Sequence, residues 1–182
     1  MSFTDAIKTC FSKYFTFSGR ASRPEYWWFF LFIVLGNVVA GILDAVLFDA
    51  VTGSVETGPD GFSASAENNG PVAAIFSLAV LIPQLAAGWR RMHDTGRSGF
   101  YLLLPLLMSI AAVLILVFGI GLASAFQHGG SFDRFMTGST ILLLIPTGLV
   151  LIVSPLLVLW WLTRPSEAGE NRFGPPPAQV AG

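Results

Sequence analysis

Charged residues are scarce in this sequence, and their scarcity excludes an ordinary soluble domain. Aspartate, glutamate, lysine and arginine make up 12% of the 182 residues, whereas hydrophobic residues make up 53%. A typical soluble domain has about 25% charged residues. A soluble fold of this length has too few polar side chains to cover so much apolar surface. The composition therefore predicts a single membrane domain that occupies residues 1–182.

Cysteine occurs once and histidine twice, which limits the chemistry available to the chain. Cys10 has no second cysteine with which to form an internal disulfide, and His93 and His128 fall on opposite sides of the predicted membrane, so no metal site is predicted. No nucleophile motif accompanies His93, and no basic stretch carries the interleaved aromatic residues that favour nucleic acid. We therefore predict no catalytic residue, no cofactor and no nucleic-acid partner.

Long uncharged stretches, in contrast, are abundant. Four stretches reach the roughly 20 apolar residues that a helix needs to cross a hydrocarbon core. They cover residues 26–48, 71–89, 101–123 and 141–162. Because open strands leave backbone groups unsatisfied in lipid, all four are predicted to be helices. The predicted fold class is thus all-α, a polytopic membrane protein built as a four-transmembrane-helix bundle.

The segments outside these stretches have compositions of their own. In the arm of residues 1–24, apolar side chains recur at helical spacing from residue 3 to residue 15, which predicts a short amphipathic helix on the inner leaflet, with a disordered leader as the alternative. Residues 49–70 are rich in Gly, Ser, Asn and Asp without an apolar period, which predicts a flexible outer loop. Residues 163–182 contain four prolines and are predicted to form an extended tail.

Basic residues are distributed unequally between these segments. Nine of the ten lysines and arginines precede the first stretch, separate the second from the third, or follow the fourth, and Arg134 is the exception. All five tryptophans lie at the same ends of the stretches. Lysine and arginine accumulate in short cytoplasmic loops, and indole rings collect at the headgroup level. Both termini are therefore predicted to be cytoplasmic, and the first stretch, too long for a signal peptide, is expected to stay in the membrane.

Three polar motifs lie at the predicted cytoplasmic ends of the stretches. They are GRASRPEYWWF from residue 19, RRMHDTGRSGFYLLLP from residue 90 and ENRFGPPP from residue 170. With these motifs in this order, the chain resembles the YhaH-like bacterial inner-membrane proteins, a family of unknown function (family 805), from Phe11 to Pro177. The resemblance implies a small multi-helix protein of the bacterial inner, or plasma, membrane without an assigned activity. It brings no mechanism, so the motif residues have to be interpreted physically.

The motifs concentrate arginine around one short loop, and two interpretations of that concentration are open. As an orientation signal, the arginines hold the loop in the cytoplasm while Asp94 and Gly96 form a turn. As an anion site, they bind a lipid phosphate or another anion through planar, bidentate donors. The candidate residues for anion or headgroup binding are Arg20, Arg23, Arg90, Arg91, His93, Asp94, Arg97 and Arg172.

Few other polar residues accompany the apolar stretches. Glu25 opens the first stretch and is a candidate for a structural ion pair with Arg90 or Arg91, or it favours the positive end of its own helix dipole. Asp44 is expected near the outer interface. Gln84 follows a proline, and its amide is expected to satisfy backbone carbonyls that the kink frees.

These observations predict a non-enzymatic membrane-organising or accessory protein. Its cationic cytoplasmic face would bind anionic lipid headgroups or a protein partner, and that partner is either a second copy of the chain or another membrane protein. One alternative is a transporter or channel component that acts as an oligomer, with a polar path past Asn37 and Gln84. The other alternative is a membrane enzyme that acts on a lipid phosphate through His93 and Asp94.

Overall fold

The computed structural model of the protein describes residues 1–48, 51–58, 61–68, 70–125 and 131–177. Within these residues the fold is helical, apart from one two-stranded hairpin, and the predicted helical fold class is confirmed. The elements in chain order are α1 (Phe3–Ser12), α2 (Arg23–Phe48), β1 (Val51–Gly58), β2 (Gly61–Asn68), α3 (Pro71–Asp94), a 3-10 helix (Gly99–Leu103), α4 (Leu104–Ala125) and α5 (Ser131–Thr163).

Long apolar helices dominate the structure, as a membrane protein requires. Three helical segments are long and apolar enough to cross a membrane, namely α2, α3 and the part of α5 from Pro146 to Thr163. The apolar segment Gly99–Ile115 is shorter. Large apolar side chains on the helices face outward, and Phe118, for example, is 72% exposed. Lipid is the solvent that suits such a surface. The number of crossings and the orientation of the chain remain predictions.

Helix α3 continues beyond the predicted membrane exit at residue 89 and ends at Asp94. Nothing in residues 90–94 interrupts a helix, since the segment contains neither glycine nor proline. The stop comes at Gly96, which has a φ of +73° and whose N–H donates to the carbonyl of His93 at 3.0 Å. Arg90 and Arg91, which the sequence places in a loop, are therefore on the last turns of a helix, which fixes the directions of their side chains, whereas Arg97 follows the helix.

The segment between α2 and α3 differs from the flexible loop that the sequence predicts. Its described residues form β1 and β2, which pair antiparallel from Val51 opposite Asn68 to Gly58 opposite Gly61. Pairing of this kind satisfies backbone donors and acceptors within the segment. It does not need the alternating apolar pattern on which the sequence prediction relied, and that is why the hairpin was missed.

The arginines of the motifs lie at or near the start of α2, the end of α3 and the end of α5, and we call this end of the molecule the arginine end. Helix α1 crosses α2 near it. This is the short helix that the amphipathic pattern of the arm predicts, and it begins with a capping box at Ser2. The ring of Phe3 contacts Trp28 at a centroid distance of 5.8 Å, and the ring of Phe11 contacts Phe29 at 5.6 Å. Both ends of α1 thus meet the same turns of α2, so α1 lies across α2 rather than alongside it.

Helices α2 and α3 are antiparallel and are joined by polar contacts along their length. Near the middle, the hydroxyl of Ser77 donates to Oδ1 of Asn37 at 3.0 Å. At the far end, the carboxylate of Asp44 accepts from the backbone N–H groups of Val72 (2.9 Å) and Ala73 (2.8 Å). Asp44 therefore caps the N-terminus of α3 from a neighbouring helix, a role that the sequence did not predict.

Pro83 lies inside α3, and the N-terminal arm supplies the hydrogen-bond donor that this proline cannot provide. Proline has no N–H, so the carbonyl of Ala79, four residues earlier, lacks its helical donor. The hydroxyl of Tyr14 donates to that oxygen at 2.8 Å. The sequence prediction gave this role to Gln84, because only the neighbours of the proline are visible in a linear sequence.

The buried apolar core of the described residues lies toward the arginine end of the helices. Its members come from α1, α2, α3 and α5, and they are Cys10, Tyr26, Phe29, Ile33, Val80, Ala87, Met92, Val158 and Leu162. Four helices therefore meet at this end, and the three sequence motifs meet beside them.

Candidate functional site

Asp94 lies at the point where the three motifs meet. Its Oδ1 accepts from Nε of Arg20 at 3.0 Å, and its Oδ2 accepts from Nη1 of Arg91 and from the hydroxyl of Ser166. The side chains of Arg20, Arg91 and Asp94 are all 0% exposed. We call these four residues the Asp94 cluster. One carboxylate thus joins the N-terminal arm, α3 and the tail.

Arg20 extends the cluster along the tail. Its Nη1 donates to the carbonyls of Gly169 (2.6 Å) and Gly174 (3.4 Å), and its Nη2 donates to the carbonyl of Glu167 (2.6 Å). A guanidinium group presents five N–H donors in a rigid fork. A single side chain can therefore hold a turn-rich segment, whose regular pairing is one bridge between Asn171 and Gly174 among the described residues, against the helices.

Arg91 performs the corresponding task for α5. Its Nε donates to the carbonyl of Leu162 at 3.0 Å, and its Nη2 donates to the carbonyl of Arg164. The last carbonyls of a helix have no intrahelical donor, and a cation there also interacts favourably with the helix dipole. Arg91 therefore caps the C-terminus of α5 while it pairs with Asp94.

Glu25 pairs with Arg90, whose Nη1 donates to its Oε1. Arg90 was one of the two partners proposed for Glu25, and Arg91, the other, turns to Asp94. Arg90 is 1% exposed, and its Nε and Nη2 have no hydrogen-bond partner among the described residues. The pair ties the first turn of α2 to the last turns of α3. A backbone hydrogen bond adds to this contact, because the N–H of Ala21 donates to the carbonyl of Arg90 at 3.0 Å.

Cys10 lies beside this ion pair, with its Sγ 4.0 Å from the carbonyl of Glu25. Burial and, after it, the negative charge of Glu25 raise the pKa of the thiol to about 12. The thiol is therefore protonated at neutral pH, and a thiol in that state is a poor nucleophile and a poor metal ligand.

His93 joins the first motif to the third. Its Nδ1 is 3.0 Å from the carbonyl of Gly19, and its ring stacks on Phe173 at a centroid distance of 3.8 Å and an interplanar angle of 4°. Its own carbonyl accepts from Nδ2 of Asn171 at 3.0 Å. The imidazole is 7% exposed, so it is used for packing in this structure.

The eight residues predicted to bind anions are divided by burial. Five of them lie inside the protein and have internal partners, namely Arg20, Arg90, Arg91, His93 and Asp94. The other three lie at the surface: Arg23 and Arg172 are exposed, and Arg97 is half-buried. The surface also carries Arg164, which the prediction did not include. In this structure each of the five buried residues has at least one polar partner within the chain.

Two of the surface arginines, Arg97 of the second motif and Arg164 just after α5, lie over tryptophan rings. The guanidinium carbon of Arg97 is 5.1 Å from the ring centre of Trp161, and that of Arg164 is 4.7 Å from the ring centre of Trp160. Cation–π stacking holds such side chains near the level of the tryptophans. These cations are therefore placed where the predicted headgroup region begins.

A cavity of about 690 Å³ opens beside Arg23 at the same end of the molecule. Its walls come from the start of α2 and from the segment that follows α5. The residues that line it are Ser22, Arg23, Pro24, Trp27, Trp28, Leu31, Pro165 and Ser166. We call this cavity the Arg23 groove.

Among the residues that the structure describes, no three His, Cys, Asp or Glu side chains come together in a group that could hold a metal ion.

Sequence reasoning missed Ser166, Glu167 and Asn171 as parts of the site. Asn171 belongs to the third motif, which is a signal in the sequence, whereas Ser166 and Glu167 carry no signal beyond their position just after the last span. Glu167 contributes mainly its backbone, since its N–H donates to the carbonyl of Asp94 at 2.8 Å. Contacts of the backbone leave no trace in residue type.

The chain is similar to known inner membrane proteins. The chain is 35% identical over 106 residues to the inner membrane protein YhaH of Escherichia coli (strain K12), an alignment that covers 58% of this chain and 76% of YhaH. It is 31% identical over 106 residues to the inner membrane protein YhaI of the same organism, with 58% of this chain and 75% of YhaI covered. No solved structure matches the chain. Residues 14–175 match the family described as "Protein of unknown function (DUF805)", a range that includes the first two motifs and residues 170–175 of the third, and the chain therefore belongs to the DUF805 family.

Proposed function

We propose that this protein is a non-enzymatic, multi-pass protein of the bacterial inner membrane whose cytoplasmic face binds anionic phospholipid headgroups. The observation that carries the proposal is the division of the arginines. Arg20, Arg90 and Arg91 are buried and bond to groups within the protein. Four other arginines lie at the surface near aromatic rings: Arg23, Arg97, Arg164 and Arg172.

The distribution of charge supports a cationic inner face. The segments assigned to the cytoplasm contain nine basic and five acidic residues. The opposite segments, from Asp44 outward, contain six acidic residues and one basic residue. Each basic residue near an anionic membrane surface contributes about 1 kcal/mol of attraction. An excess of four positive charges is thus sufficient to enrich anionic lipid around this face.

The buried residues would serve the same function indirectly. The Asp94 cluster and the Glu25–Arg90 pair hold the arm, the helices and the tail together, and the surface arginines project from that frame. His93 is packed against Phe173, and both polar atoms of the Asn37 amide are bonded within the chain, to Ile33 and Ser77. These contacts support a structural role for both residues, so we propose neither an enzyme nor a transporter.

Lipid retention tests the proposal. The purified protein and the membrane it came from would be compared by mass spectrometry for the ratio of phosphatidylglycerol to phosphatidylethanolamine. We expect the parent to be enriched in phosphatidylglycerol, and a variant with the four surface arginines replaced by glutamine to lose that enrichment. Replacing the same four by lysine is the matched control, because it preserves charge and the orientation signal. A parent whose lipids match the bulk membrane would overturn the proposal.

Orientation is tested separately with reporter fusions. Fusions after Gly61 and His128 should report the outer compartment, and fusions after Gly99 and at the C-terminus should report the cytoplasm. The expectation follows from the unequal distribution of basic residues. A cytoplasmic signal from the Gly61 fusion would contradict the four-span topology and with it the assignment of the arginine end to the inner leaflet.

A further inference from the structure

We infer that the Arg23 groove is a binding site for one anionic phospholipid, with the phosphate at Arg23 and the first part of an acyl chain against Trp27, Trp28 and Leu31. The inference rests on the proposed function, which it deepens by naming a single site and its ligand. Three features of the groove support it: its shape, its uncompensated charge and the rigidity of its walls.

The lining of the groove matches a phospholipid, with a cation at one end and mainly apolar side chains along the rest. Arg23, Trp27 and Leu31 are four residues apart, so they lie on one face of α2 and follow the helix axis into the apolar part of the protein. At 1.5 Å per residue, the distance along the axis from Arg23 to Leu31 is about 12 Å. A cation therefore stands at the mouth and apolar surface stands below it, and Trp28 and Leu31 remain 39% and 38% exposed.

The charge of Arg23 has no counterion within the described residues. The ion pairs there are Arg20 with Asp94, Arg90 with Glu25, and Arg91 with Asp94, so both neighbouring carboxylates are already committed to buried arginines. Arg23 also begins α2, where the positive end of the helix dipole adds to its field. A phosphate suits this position because a guanidinium group binds it through two parallel N–H donors.

The far wall of the groove is held in place by the Asp94 cluster. Ser166 lines the groove and donates its hydroxyl to Asp94, and the next residue, Glu167, donates its N–H to the carbonyl of Asp94 at 2.8 Å. Pro165, also in the wall, has a restricted backbone. The site is therefore formed before a ligand enters, which reduces the entropy that binding must overcome.

An anionic phospholipid fits these features better than a free anion does. A single arginine at the surface gives a soluble phosphate little affinity, whereas a lipid adds contact with the tryptophans and Leu31. The groove also opens at the level of the tryptophans, where lipid headgroups lie.

The test measures how much phosphatidylglycerol the purified full-length protein retains from mixed micelles with phosphatidylethanolamine, by native mass spectrometry. Arg23→Gln is expected to lower the affinity for one phosphatidylglycerol about five-fold. Leu31→Trp, which fills the groove and keeps the charge, is expected to lower it at least as much. Lys8→Gln is the matched control: it removes an exposed positive charge of α1, outside the groove and outside the four surface arginines, and should leave that affinity unchanged. Glycerol phosphate should not compete, because it lacks acyl chains.

Each other outcome overturns a defined part of the inference. Equal losses in Arg23→Gln and Lys8→Gln would show diffuse attraction, which removes the groove and leaves the proposed function standing. An unchanged affinity in Leu31→Trp would place the lipid outside the groove. A parent without preference for phosphatidylglycerol would remove the proposed function as well. Thermal unfolding midpoints equal to that of the parent would show that the variants are folded.

Discussion

Asp94 and Asp44 are both fully buried and lie at opposite ends of α3, yet their charges are satisfied in different ways. Asp94 accepts from two guanidinium groups and one hydroxyl. Asp44 accepts from two backbone N–H groups, those of Val72 and Ala73. One carboxylate is neutralised by full charges, and the other by the partial charges of a helix N-terminus.

The difference shows what each end of the molecule depends on. Two of the three partners of Asp94, Arg20 and Ser166, lie more than 70 residues away in the sequence, so its carboxylate brings distant segments together there. The partners of Asp44 belong to a helix that would form without it. Loss of the Asp94 charge leaves buried cations unpaired, whereas loss of the Asp44 charge leaves neutral N–H groups unpaired. The costs of the two losses should therefore differ.

Asp94→Asn should have the largest effect. Asparagine keeps the shape of the side chain but leaves Arg20 and Arg91 buried without a counterion, and breaking a buried pair of this kind costs about 3–5 kcal/mol. The free energy of unfolding in detergent micelles, measured with denaturant, would show the loss. Glu170→Gln, at an exposed position of the tail, should behave like the parent. A loss below about 1 kcal/mol would mean that the Asp94 cluster does not stabilise the fold.

The Glu25–Arg90 pair should show the next largest effect, as a coupling energy. Two N–H groups of Arg90 already lack partners among the described residues, so removing Glu25 leaves the whole guanidinium group unpaired. In a cycle of Glu25→Gln, Arg90→Gln and the double variant, we expect a coupling of about 1–3 kcal/mol. The same cycle with Arg91 in place of Arg90 should give a smaller value, and additive losses in the Arg90 cycle would refute the pairing.

Much of the helical framework was predictable, because apolar length and the positions of tryptophan and arginine report directly on a membrane. The gathering of the motifs at one end was predictable for the same reason. The use of each arginine was not, since orientation, capping and ion pairing all employ the same residue type. Arg91 illustrates this limit: two of its acceptors are the backbone carbonyls of Leu162 and Arg164, which every residue possesses. The hairpin was missed because its sequence has no alternating apolar pattern.

Substitutions of Asp44 should lower the free energy of unfolding less than Asp94→Asn does. Here the loss of the acceptor oxygens should matter more than the loss of the charge. Asp44→Ala removes both acceptors at the N-terminus of α3 and should cost about 1–2 kcal/mol, as the loss of a helix cap does. Asp44→Asn keeps one acceptor oxygen and should cost less than the alanine variant. Both would be measured by the same unfolding experiment. If Asp44→Asn proved as costly as Asp94→Asn, the negative charge itself would matter equally at both ends, and the contrast drawn between them would be wrong.

Tyr14→Phe should give the smallest effect, because its bond joins two neutral groups. The hydroxyl of Tyr14 is the donor for the carbonyl of Ala79, which Pro83 leaves without a helical partner. Removing one neutral hydrogen bond of this kind costs about 0.5–1.5 kcal/mol. Tyr101→Phe removes a hydroxyl from a side chain that is 47% exposed, and it should leave stability unchanged. A Tyr14→Phe variant as stable as the parent would mean that another group reaches the Ala79 carbonyl. A loss as large as that of Asp94→Asn would instead mean that the arm contributes as much to stability as the buried charges do.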